Sequence, residues 1–155
     1  MQTAALVARQ FREAFFGGNW TAVNFRDTLS DVGWETATRQ VYSLNTIATL
    51  VYHCGYYISA VLGVLQGEAL TAKDKYSFDH PPVQSEADWQ QMLHKVLSDA
   101  SKFADVVETL TNERLNQTFA DEKYGTYYRN LHGIIEHTHY HLGQIVILKK
   151  ILKAG

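Results

Sequence analysis

The run Glu136-His137-Thr138-His139-Tyr140-His141-Leu142-Gly143-Gln144 places three of the chain's seven histidines within five residues. Read as an α-helix at about 100° per residue, it stands His137 and His141 nearly on one line, with Cβ atoms about 5–6 Å apart. Two imidazoles at that spacing can share one metal ion. The same period turns His139, and with it His132, to the opposite side.

The neighbours decide which pair faces inward. Ile134, His141, Ile145, Leu148 and Leu152 fall within roughly 80° of His137, the stripe of a core-facing helix. His132, Glu136, His139, Gly143 and Lys150 form a mostly polar face opposite. Val146, Ile147 and Ile151 lie outside the main stripe and offer a second contact surface, hence an expected homodimer. Adjacent buried imidazoles are costly unless something pairs with them. Hydrogen bonds inside a core and a shared metal ion both meet that need, and the periodicity alone leaves the two readings open.

Working back from this last helix, Thr126 to Lys153, the chain shows three more long helical patterns. Helix one spans Thr3 to Phe16, with Leu6, Val7, Gln10, Phe11 and Ala14 at helical spacing and Gly17-Gly18 as its stop. Residues 19–45 are irregular, a long connection with one short helical turn, packed by Trp20, Phe25 and Trp34 over an end of the fold. Helix two starts near Ser43 or Asn45, either of which can cap it, and runs to Gln66. His53 shares a face there with Leu50, Tyr57, Ala60, Val61 and Val64, so it points inward, and Tyr57 brings its hydroxyl one turn away. Cys54 reads as a small core residue.

Residues 67–84 form a linker in which Pro81-Pro82 cannot continue a helix and His80 is exposed. Ser85 caps helix three, with Asp88 in a weak capping box. Its apolar side is Trp89, Met92, Val96, Phe103, Val106, Val107 and Leu110, with His94 off the stripe, and Thr111-Asn112 ends it. Residues 112–125 are a polar connection, and Thr126 caps helix four. Nothing alternates like a strand. The expected fold is an all-α four-helix bundle with long connections after helices one and three, in one domain over residues 1–155.

Composition narrows the function. With 46% hydrophobic and 19% charged residues the chain is of globular type, and a net charge of −2 with pI near 6.4 gives no basic patch for nucleic acid. The single cysteine, Cys54, excludes an internal disulfide and a Cys-rich zinc site and suits a reducing compartment. No stretch reaches the ~18 consecutive apolar residues of a membrane span, and the first residues carry Arg9, Arg12 and Glu13 where a signal peptide is apolar. A cytoplasmic protein without membrane contact is expected. Helix four and helix two together offer His137, His141 and His53. Three neutral imidazoles hold a divalent transition metal well and leave a coordination position open.

The motif His137-x-x-x-His141-x-Gly143-Gln144, the lone inward His53 and the early Trp20-Thr21 segment resemble the DinB/YfiT-like metal-binding bundle family over nearly the whole chain. The resemblance implies a four-helix bundle in which His53, His137 and His141 bind a divalent metal, zinc or nickel in many members. Gly143 and Gln144 match the end of the motif, while Leu142 stands where an arginine or another polar residue is common. The family includes thiol-dependent transferases that use bacillithiol or mycothiol.

Three functions follow as expectations. The first is a metal-dependent thiol S-transferase joining a low-molecular-weight thiol to small electrophiles, since a coordinating thiol is deprotonated by the metal. Tyr57 and Gln144 would then orient ligands or substrate, with ordinary packing as the other reading of each. The second is a hydrolase in which the metal activates water. The third is a metal- or small-molecule-binding protein without turnover, linked to stress.

Overall fold

The computed structural model describes residues 2–154, so the two terminal residues of the expected 1–155 domain lie outside the described residues. The chain is all-helical, with no strand among the described residues. Four long helices, α1 (Thr3–Phe16), α4 (Ile47–Leu65), α5 (Glu86–Glu108) and α7 (Tyr127–Ala154), are joined by segments that carry the short helices α2 (Phe25–Leu29), α3 (Trp34–Thr38) and α6 (Asn112–Asn116). α1 packs on α5 and α7, and α4 packs on the same two helices, closing a ring around one core.

Side-chain caps set most helix starts by accepting from a backbone N–H that the helix leaves unpaired. Asn24, Thr46, Ser85 and Thr111 each do this for α2, α4, α5 and α6, and Thr126 accepts from Arg129 N at the head of α7. The expected caps Ser85 and Thr126 are present. α4, however, starts later than Ser43 or Asn45. Tyr42 sits at φ 48° and Leu44 N donates to Val41 O, a turn that delays the helix until Thr46 can cap it. α5 stops at Glu108, short of Thr111, because Thr109 N and Leu110 N fold back on Val106 O and Val107 O and Thr111 instead caps α6.

The connection over residues 19–45 holds two short helices where one turn was expected. Phe25, Leu29 and Val32 are buried, and Trp89 Nε1 donates to Val32 O at 2.6 Å, which satisfies the one polar atom of a fully buried indole. Trp20 does not join this packing and is fully exposed, and Leu6 of α1 is half exposed. Both apolar residues fall outside the faces that close the core. Lys149 and Lys153 of α7 both pair with Asp31, and Lys149 also donates to Thr28 O, tying the end of the last helix to α2 and the turn that follows it.

α4 is long and apolar enough by length and composition to cross a membrane, which an unbroken-run count does not reveal, and 61% of that stretch is buried inside the bundle. Its apolarity follows from being covered on more than one side. At Gly55 it comes so close to α5 that an added Cβ would stand 2.5 Å from Val96 Cγ2. Gly55→Ala is therefore expected to destabilise the fold by about 1–3 kcal/mol in denaturant titration despite alanine's better helix propensity. Pairing it with Val96→Ala should recover part of the loss, and additive losses would place the strain elsewhere.

Candidate metal centre

His53 on α4 meets His137 and His141 on α7 across the interface between these helices. One ligating atom from each residue lies within 4.8 Å of the other two. His53 and His141 are 5% and 7% exposed, and His137 is half-buried. His132 and His139 do not join the cluster. His132 packs on the Tyr128 ring instead, and both are partly covered rather than fully outward.

Hydrogen bonds on the far side of two rings decide which nitrogens face the cluster. His53 Nδ1–H donates to the carbonyl of buried Ser77 at 3.2 Å, and His141 Nδ1–H donates to Gln144 Oε1 at 2.7 Å. Each leaves an Nε2 lone pair pointing inward. His137 Nε2 stands 2.9 Å from His53 Nε2, so its N–H donates to that lone pair. At zinc–nitrogen bonds of about 2.0–2.1 Å in tetrahedral array, ligand nitrogens are ~3.4 Å apart. The separations present, 2.9 Å between His53 Nε2 and His137 Nε2 and at most 4.8 Å across the set, bracket that spacing. The donor set thus fits a divalent transition metal. No carboxylate or thiol joins the cluster among the described residues.

Aromatic rings wall the site. Phe78 stacks on His53 with centroids 3.8 Å apart and planes 9° from parallel, and Tyr140 sets its ring against His141 at 4.9 Å. Tyr57 touches both His53 and His137 edge to face, yet its hydroxyl donates to Asp74 Oδ1 at 3.0 Å rather than into the cluster. The expected Tyr57 contact is therefore made by its ring, because the 67–84 connection offers a stronger acceptor to its hydroxyl. Burial pushes the Tyr57 phenol up. His80 corrects another expectation: it is half-buried, with its Nε2 3.1 Å from Thr49 Oγ1 and its Nδ1–H donating to Pro81 O.

The sequence missed Ser77, Phe78 and Asp74. They belong to a connection ordered by a 3₁₀ turn, Asp74–Tyr76, and by Ser77 Oγ donating to Asp74 O. The bond to His53 uses a backbone carbonyl, which no side-chain pattern announces. Cys54 is buried, as expected of a core residue, and burial raises its thiol to about 12. A groove of about 610 Å³ lies on another flank of α4, lined in part by Tyr52, Tyr56, Ser59 and Met92, and none of the three histidines lines it. Its Lys95 and Asp99 are already paired with each other. Convergent imidazole nitrogens, rather than cavity size, mark the chemical centre.

An all-helical bundle with three imidazoles converging between two of its long helices defines a protein that could hold one metal ion. The sequence pattern of the DinB superfamily matches residues 9–145, and the chain belongs to that superfamily. Comparisons with curated proteins and with solved structures found no match.

Burial, followed by the neighbouring His141 and His53, holds His137 down at about 4, and burial with His141 also lowers His53. In the unfolded chain both return to about 6.5. Between those values the unfolded state binds more protons, so stability of the metal-free protein should fall as pH drops from about 6.5 toward 4. Thermal melts across that range test it, and His137→Phe should flatten the decline. In zinc titration against a competing chelator, His137→Ala and His141→Ala should abolish tight binding. His139→Ala should leave it intact, and Gln144→Ala should weaken it by about 10–100-fold. Equal losses from His137→Ala and His139→Ala would contradict the geometry.

Proposed function

We propose that the chain is a metal-dependent thiol S-transferase, with His53, His137 and His141 holding a divalent ion, zinc or nickel. The observation that carries this reading is the convergence of one ring nitrogen from each of three histidines, with no carboxylate joining them among the described residues. A neutral ligand set leaves the full charge of a divalent ion in place, and such an ion lowers the pKa of a coordinating thiol. The ligand best matched to that charge is an anion such as the thiolate of a low-molecular-weight thiol. The absence of a carboxylate in the cluster favours an incoming thiolate over water, which needs a general base.

The reaction is a substitution. The thiol sulfur forms a bond to an electrophilic carbon, the leaving group departs with its bonding pair, and the thiol proton goes to solvent. Phe78 and Tyr57 border the cluster with aromatic surface and suit an apolar or aromatic electrophile. Gln144 keeps His141 in the tautomer that a metal needs. Such a reaction requires a reduced thiol pool, which the cytoplasm supplies.

Protein purified without added metal should carry one divalent ion per chain by elemental analysis. It should consume a halogenated aromatic only in the presence of a small thiol, with activity lost on chelation and in His137→Ala. Metal bound at full occupancy with no thiol-dependent turnover would leave a binding protein and overturn the transferase reading. Turnover that survives chelation would remove the metal from the chemistry.

A further inference from the structure

α7 carries a second feature that runs from the rim of the histidine cluster toward its C-terminal end. Tyr140, Ile147 and Ile151 are 66%, 59% and 41% exposed. With half-buried Gln144 they follow four-three-four spacing, an apolar seam of the kind that packs against a second helix. Gly143 borders this seam on the exposed side, and an added Cβ there would meet nothing within 4 Å. Glycine inside a helix costs stability, and no neighbour in the protomer fills the space beside it.

Charge supplies the register. Glu136 and Lys150 stand seven residues before and after Gly143, two turns to each side along nearly the same line of the helix. Both are exposed, and neither makes an ion pair among the described residues. This arrangement is self-complementary in one orientation only. Antiparallel pairing about residue 143 sets Glu136 against the partner's Lys150 and Lys150 against the partner's Glu136, whereas parallel pairing sets like charge on like.

We propose that two copies of the chain associate through α7, antiparallel, across a two-fold axis at Gly143. The axis makes the contact isologous, so each favourable pair occurs twice. Tyr140 and Ile147 of one copy then cover Ile147 and Tyr140 of the other, and the paired glycines let the two backbones approach. Exposed ion pairs add little free energy. Burial of the seam therefore drives association, while the charges choose orientation and register. The dimer does not depend on a metal at the histidines.

Sedimentation velocity of the full chain tests this directly. The unaltered protein should sediment as a dimer, and Ile147→Glu should convert it to a monomer with unchanged helical circular dichroism. Glu136→Lys and Lys150→Glu should each shift the equilibrium toward monomer, and the double reversal should restore the dimer. Gly143→Cys should form an intermolecular disulfide on mild oxidation, with buried Cys54 unreactive in the unaltered chain. A monomeric unaltered protein overturns the proposal, since the seam then serves another partner or none. So does a dimer indifferent to Ile147→Glu, or a double reversal that fails to restore association.

Discussion

The packing of α4 against α7 is the constraint on which the site depends. His53 alone on α4 would be a core histidine, and His137 with His141 alone on α7 would be two rings on a helix face. Helices in contact have axes about 8–10 Å apart, which is the reach of two imidazole side chains meeting in the middle. The bundle supports that contact from both sides. Gly55 lets α5 press against α4, and Asp31 anchors Lys149 and Lys153 at the far end of α7.

Buried polar rings then have to be satisfied, and the way this is done gives the site its chemistry. Ser77 O and Gln144 Oε1 each take one ring N–H, so the remaining nitrogens of His53 and His141 face the cluster as acceptors. Burial keeps His53 and His137 from charging. The neutral rings of His53 and His141, each fixed in the tautomer that turns an acceptor nitrogen inward, are preorganised for a metal, whereas His137 has to move its Nε2 proton to Nδ1 to join them.

Much of this was legible in the sequence, for a physical reason. Long helices with strong periodicity announce themselves, so α1 matched its expected span and the inward directions of His53, His137 and His141 followed from counting residues. The ends of α4 and α5 were less legible because they depend on competition between neighbouring caps, Thr46 against Ser43 and Asn45, and Thr111 acting for α6. The 67–84 connection was least legible. Its ordering comes from backbone bonds and from contacts such as Phe78 on His53, which have no period along the chain.

The Gln144 expectation and the Tyr57 expectation show the same limit from two sides. Gln144 lies one turn from His141 on the same helix, so helical geometry alone brings its amide within reach. Tyr57 also lies one turn from its histidine, but its longer side chain carries the hydroxyl past the cluster to Asp74, a residue seventeen positions away. The account stands most directly on the coordination shell itself. X-ray absorption spectroscopy of the zinc- or nickel-loaded protein should show three imidazole nitrogens at about 2.0–2.1 Å from one ion. A shell with one imidazole or none, or one unchanged by His53→Ala, would contradict it.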